Sequence, residues 1–115
     1  MCGIAGFFGK KNINNEVINK TLYIMKNRGP DFSNYFKKKF SNNTSVYLLH
    51  SRLSIIDLHQ RSNQPFIIGD YILIFNGEIY NYLELKKNLE SKGIFLKTNS
   101  DTEVLLHYYI IYGEK

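Results

Sequence analysis

Two stretches of this chain, SVYLLHSRLSIIDL (45–58) and YILIFNGEIYN (71–81), run apolar and then stop on a cluster of polar residues. Short apolar runs broken in this way read as strands that end at turns. CGIAGFFG (2–9) is apolar and punctuated by glycine, and reads as a further, buried strand. Around these lie stripes with helical spacing. Ile18, Leu22 and Met25 mark one face of a helix from Asn14 to about Asn27. RGPDFS (28–33) cannot continue it, because Pro30 lacks an amide donor and restricts the residue before it. Tyr82, Leu85 and Leu89 mark a second helix, roughly Tyr80 to Lys92, with Gly93 placed to stop it. SDTE (100–103) fits a capping box, in which the Ser100 hydroxyl and Glu103 carboxylate serve each other's backbone amides. The third helix it opens runs to about Tyr112. The order strand, helix, several strands, helix, strand, helix defines an α+β domain with helices packed on sheets.

Composition narrows the functional classes. At 115 residues there is room for one small domain, and 43% hydrophobic with 22% charged residues is ordinary for a globular chain. No apolar run approaches the ~20 residues of a membrane helix, and the N-terminus lacks a secretory pattern. One cysteine allows no intramolecular disulfide, so a cytoplasmic location without membrane association is expected. The 15 Lys+Arg against 10 Asp+Glu leave +5, yet only Arg28, Arg52 and Arg61 are arginines. Arginine is the residue suited to bidentate phosphate and guanine contacts, so no nucleic-acid partner is expected. Lys37-Lys38-Lys39 reads instead as a lysine-guarded hairpin edge.

The polar residues Cys2, Arg52, Asn76-Gly77 and Asp101 each stand at the end of an apolar strand or the start of a helix. A rigid scaffold delivers side chains into a shared pocket from such places, although propensity alone does not show that they meet. A lone thiol is ordinarily a small buried hydrophobe. Two features of position 2 favour another role. Methionine ahead of a small residue is normally excised, and a freed α-amino group has a reference pKa near ~8. Nucleophile and base would then share one residue, as in N-terminal nucleophile enzymes. No histidine is needed, so His50, His59 and His107 read as ordinary polar or core residues. Asn76 and Gly77 offer a side-chain amide and a backbone amide for an oxyanion, with a plain turn as the rival reading. Against a hairpin, the following EIYNYLELKKNLE is helical rather than a returning strand.

MCGIAGFFG, RGPDFS, HSRLSIIDL, QPF, IFNGEIYNY and TNSDTEVLLHYY, in this order, resemble the start of the glutaminase domain of class II glutamine amidotransferases. The opening Cys-Gly-Ile is shared among the branches, whereas RGPD, RLSIIDL and NGEIYNY resemble the glutamine-hydrolysing asparagine synthetase group. The resemblance implies an N-terminal nucleophile hydrolase fold, of which residues 1–115 would be the N-terminal portion of a four-layer αββα sandwich. It implies that Cys2 forms a γ-glutamyl thioester from L-glutamine and releases ammonia. Arg52 would clamp the α-carboxylate, a bidentate task. Leu53, Ser54, Ile55 and Ile56 would line the same pocket through backbone and apolar contacts. Asn76 and Gly77 would form the oxyanion hole, and Glu78 and Asp101 would receive the α-ammonium group. Asp101 has a structural rival as a dipole-favourable residue at a helix start.

Two departures from the family pattern, Asn27 before RGPD and Asn99 before SD, touch no proposed catalytic group. The family's glutaminase domain continues beyond YYIIYGEK and is followed by a synthetase domain that binds ATP, with magnesium, and aspartate. The expectation is therefore a fragment, a truncated product or one piece of a split protein. No metal and no cofactor is expected in this segment, and the full-length parent could form a homodimer. Two alternatives remain: a glutaminase serving another acceptor, such as a sugar or cell-surface precursor, and a truncated glutamine-binding module without turnover.

Overall fold

In the computed structural model, which describes residues 1–114, the chain begins with β1 (Gly3–Gly9), α1 (Asn15–Met25), β2 (Phe32–Lys39) and β3 (Ser45–Arg52). A 3-10 turn at Gln60–Ser62 leads to β4 (Phe66–Ile68), β5 (Tyr71–Leu73), α2 (Tyr82–Ser91) and α3 (Asp101–Tyr112). Three strands form an antiparallel sheet in the order β1-β3-β2, and β4-β5 form a two-stranded antiparallel hairpin. The architecture is α+β, as the sequence pattern indicates, but the strand expected between the second and third helices is absent: residues 92–100 connect α2 to α3 without pairing into a sheet.

Alternation decides how the larger sheet packs. Tyr47 and Leu49 on β3 point to the face covered by α1, where they meet Ile18, with Ala5, Phe7, Leu22, Met25 and Tyr35 packed around them. α1 brings its stripe to this face as expected, and Asn14 caps it by accepting from the Val17 amide at 2.9 Å. β1 differs from the buried strand expected of CGIAGFFG. Its burial alternates, and Ile4 and Phe8 point to the opposite face, where Phe8 is 74% exposed. It is an edge strand covered on one side only. β2 is the other edge, and its lysines precede a tight turn in which the Asn43 amide reaches Phe40 O at 3.0 Å.

The second apolar run is also shorter as a strand than the sequence suggested. Only Tyr71–Leu73 pair, with Phe66–Ile68, across a two-residue turn at Gly69-Asp70. Gly69 has φ +56°, which suits a residue without a side chain. Ile74 onward leaves the sheet before Asn76-Gly77, so the turn there leads into α2, in keeping with the helical sequel. α2 stops at Gly93 (φ +81°), whose amide bonds Glu90 O while that of Ile94 bonds Leu89 O.

α3 is capped differently from the box expected. Ser100 Oγ does accept from the Glu103 amide at 3.3 Å. The Glu103 carboxylate, however, reaches further back, to the Lys97 amide and to the amide and hydroxyl of Thr98. The Ser100 amide is satisfied by Thr98 Oγ1 instead. Leu89 of α2 and Val104 and Leu106 of α3 are buried, and these two helices pack on one another. Among the described residues, no helix is long and apolar enough to cross a membrane.

Candidate active site

The start of β1, the loop after β3, the segment after β5 and the first turn of α3 enclose a cavity of about 260 Å³. Cys2, Arg52, Leu53, Ile55, Ile56, Asn76, Gly77, Glu78 and Asp101 all line it. Ser54 does not: its amide donates to Asp31 Oδ2 at 2.7 Å, and it borders a different hollow with Asp31 and Leu58.

Sheet register brings the thiol here. Gly3 pairs with Ser51, so Cys2 arrives beside the end of β3. Cys2 Sγ accepts from the Leu53 amide at 3.3 Å and stands 3.7 Å from Leu53 O. Arg28 Nε donates to Cys2 O at 3.2 Å. The RGPD turn thus fixes the nucleophile candidate from the other side. Gly29 makes that possible, because a Cβ there would stand 2.1 Å from Ser51 O. Asp31 finishes the clamp through its amide, which donates to Arg52 O at 3.0 Å. Met1, 72% exposed, lies at the cavity mouth, and while it is present the Cys2 nitrogen is an amide.

Arg52 is buried at the cavity floor, and its guanidinium is already engaged. One terminal nitrogen donates to His59 O (3.0 Å) and Asn63 Oδ1 (2.7 Å). The other donates to Ile56 O (3.2 Å) and to Asp57 O. Among the described residues the Nε–H makes no hydrogen bond, so the guanidinium is a committed group rather than an open fork. The sequence identified the residue but not this engagement.

Across the cavity, Asp101 is 6% exposed and accepts from the Ile79 amide at 3.1 Å through Oδ2. Glu78 is exposed at the rim. Gly77 has an ordinary φ, so its glycine serves close approach rather than a left-handed turn. A Cβ there would press to 2.8 Å of the Phe75 ring.

Two contributors, Gln64 and Asp57, escaped the sequence reading, while His50 is the buried core residue which that reading allowed. Gln64 is a strap whose Oε1 accepts from the Phe75 amide (2.6 Å) and whose Nε2 donates to Thr102 Oγ1 (3.2 Å). The QPF string was its only signal. Asp57 is closed off from solvent and accepts from the amides of Asn99 (2.7 Å) and His59 (3.2 Å) and from Arg61 Nε (3.1 Å). Burial opposes its charge, but the Asn99 amide, the nearby Ser62 hydroxyl, Arg61 and the His59 amide outweigh it. They hold the carboxyl well below the usual range. His50 is fully buried behind the cavity, with no well-formed hydrogen bond at either ring nitrogen. Burial, opposed by the nearby Phe75 backbone and reinforced by the Arg52 charge, lowers its pKa from 6.5 to about 4. Among the described residues, no group of three or more His, Cys, Asp or Glu is placed to hold a metal ion.

A half-buried thiol at a strand end thus shares one cavity with a buried arginine, a carboxylate and a glycine-bearing turn. The glutamine amidotransferase domain family matches residues 1–115, and the chain belongs to that family. Among its relatives, asparagine synthetase [glutamine-hydrolyzing] 1 of Bacillus subtilis is 42% identical over the whole chain. The putative asparagine synthetase [glutamine-hydrolyzing] 2 of Methanocaldococcus jannaschii is 43% identical over 95% of it. Asparagine synthetase [glutamine-hydrolyzing] 2 of rice, Oryza sativa subsp. japonica, is 35% identical over the whole chain. The chain spans 18%, 24% and 19% of the length of these relatives respectively, and matches their N-terminal amidotransferase part.

Proposed function

We propose that this chain carries the glutamine-hydrolysing activity of an asparagine-synthetase-type amidotransferase. The observation that carries the reading is the convergence of Cys2, Arg52, Asn76-Gly77 and Asp101 on one cavity, from segments up to a hundred residues apart in the chain. Family membership and the names of the relatives support it.

In this reading, removal of Met1 frees the Cys2 amine, which takes the thiol proton. The sulfur attacks the side-chain amide carbon of L-glutamine, and the oxyanion is met by the Asn76 side-chain amide and the Gly77 backbone amide. The proton returns to the leaving nitrogen, the C–N bond breaks and ammonia departs, leaving a γ-glutamyl thioester. Water then attacks that carbon, the C–S bond breaks, and glutamate and the thiol are restored. Asp101 and Glu78 hold the α-ammonium group. Arg52 presents its charge and Nε–H to the α-carboxylate, while Leu53, Ile55 and Ile56 shape the wall. Ser54 contributes through its tie to Asp31.

The fold would form part of a four-layer αββα sandwich. A synthetase domain, holding ATP and magnesium, would pass the ammonia to aspartate in the cytoplasm, and dimerisation would involve that larger protein. The test is to react the full protein with a chloroketone analogue of glutamine and map the adduct by mass spectrometry. A single adduct on a demethionylated Cys2, blocked by glutamine, is the expected result. An unlabelled Cys2 in folded protein would sink the reading. Cys2→Ser is expected to lower glutamine-dependent activity by more than about 1000-fold while sparing synthesis from added ammonia.

A further inference from the structure

Leu53, Ile55 and Ile56, in the loop after β3, form one wall of the cavity, and Ser100–Asp101, at the start of α3, forms part of another. One side chain, that of Asp57, links the two by a hydrogen bond. Asp57 has φ +48°, a left-handed conformation, and its carboxylate reaches the turn before α3. There its Oδ2 accepts from the Asn99 amide at 2.7 Å across 42 residues of sequence. The same residue's carbonyl accepts from the guanidinium of Arg52, which is rooted in β3. Asp101, two residues beyond Asn99, in turn holds the Ile79 amide. The connections therefore run from the sheet through Arg52 and Asp57 to α3, and from α3 to the segment carrying Gly77 and Glu78.

We propose that Asp57 is a positioning residue, a latch that sets the separation of the Leu53–Ile56 wall from Asp101 and thereby the affinity of the pocket for an amino-acid ligand. It touches neither the cavity nor the reacting atoms. That the ligand is glutamine rests on the reading above; the latch itself does not. The carboxylate form is required because one side chain must accept from three donors at once, two of them backbone amides. The ion pair with Arg61 is the lesser part. Arg61 is half exposed, and exposed pairs contribute little.

Asp57→Asn tests this with little backbone penalty, since asparagine tolerates the left-handed region well. In the full protein, KM for glutamine is expected to rise roughly 10-fold or more while kcat stays within about threefold, because a charge-assisted acceptor is lost without touching the nucleophile. Arg61→Ala is expected to shift KM by no more than about twofold. Asp57→Glu, which keeps the charge but overreaches, should fall between wild type and Asp57→Asn, and serves if the asparagine variant does not fold. Amide exchange supplies a readout independent of the ligand. Residues 97–101 should exchange at least about 10-fold faster in Asp57→Asn, with the β1-β3-β2 sheet unchanged. Unchanged KM, or a raised KM without faster exchange at 97–101, would overturn the latch. Failure of the glutamine reading appears separately, as absent Cys2 labelling in the unsubstituted protein, and the exchange arm still decides whether the two walls are joined through Asp57.

Discussion

At Gly29 an added Cβ would stand 2.1 Å from Ser51 O and 2.6 Å from the Arg52 nitrogen, both backbone atoms of the central strand. Neither can rotate away, so the RGPD turn or the strand end must move. Gly29→Ala is expected to cost about 3 kcal/mol in chemical denaturation, at the upper end of overpacking effects. The same substitution should weaken the Arg28 contact to Cys2 O and slow alkylation of Cys2. Stability within about 0.5 kcal/mol of wild type would show that the close approach is not maintained in solution. Residue types at the site were legible in the sequence because chemistry restricts them: a thiol, an arginine, an amide, a carboxylate. Their engagement was not. Arg52 donates to groups at Ile56, Asp57, His59 and Asn63, in a stretch with no period of its own. Only the folded loop reveals that an arginine suited to a ligand carboxylate is also the centre of its own wall.

Elements were legible where the signal is local. Asn14, Ser100 and Gly93 act within a few residues of where they stand, and each marks a helix end as expected. The β4-β5 hairpin was not legible, because strands of three residues are too short to show a period. Glu103 shows how a local motif can be partly right. Its carboxylate is 2% exposed and accepts from Lys97 N (2.9 Å), Thr98 N (2.7 Å) and Thr98 Oγ1 (2.6 Å). It fastens the approach to α3 rather than the Ser100 amide. Ser100→Ala is therefore expected to cost about 1 kcal/mol, an ordinary cap loss. Glu103→Gln should cost about 2 kcal/mol or more, because its NH₂ cannot accept from buried donors. Paired thermal and urea unfolding would check the order. Ser100→Ala proving the more damaging would restore the reciprocal capping box as the dominant interaction.

At the scale of the whole molecule, the α+β class could be read from the order of elements even though the strand expected before α3 is absent, whereas the sequence left His50 open between a polar and a core place. His50 pairs with Ile4 and Asn34 across the sheet, on the face opposite α1, where Phe8 is left exposed. Yet His50 itself has no exposed surface, with the Phe75 backbone and the Arg52 charge both near enough to act on its ring. The sheet, the arginine-centred loop and the segment after β5 therefore meet on one titratable ring, and its protonation reports on their docking. In the folded protein, burial lowers the His50 pKa to about 4, against 6.5 as the unperturbed value. Between those two pH values the unfolded chain binds a proton that the folded protein refuses, so stability falls as pH drops through the window. Asp57 works in a different range. Its carboxyl is held below the ordinary carboxylate value, so its contribution persists through that window and is lost only at lower pH. The midpoint of thermal unfolding should thus decline from pH 7 to pH 4.5, and His50→Leu should flatten that decline. Leucine removes a buried ring whose nitrogens lack partners, so the variant should at least match wild type at pH 5. An equally steep decline in His50→Leu would place the acid sensitivity in another group.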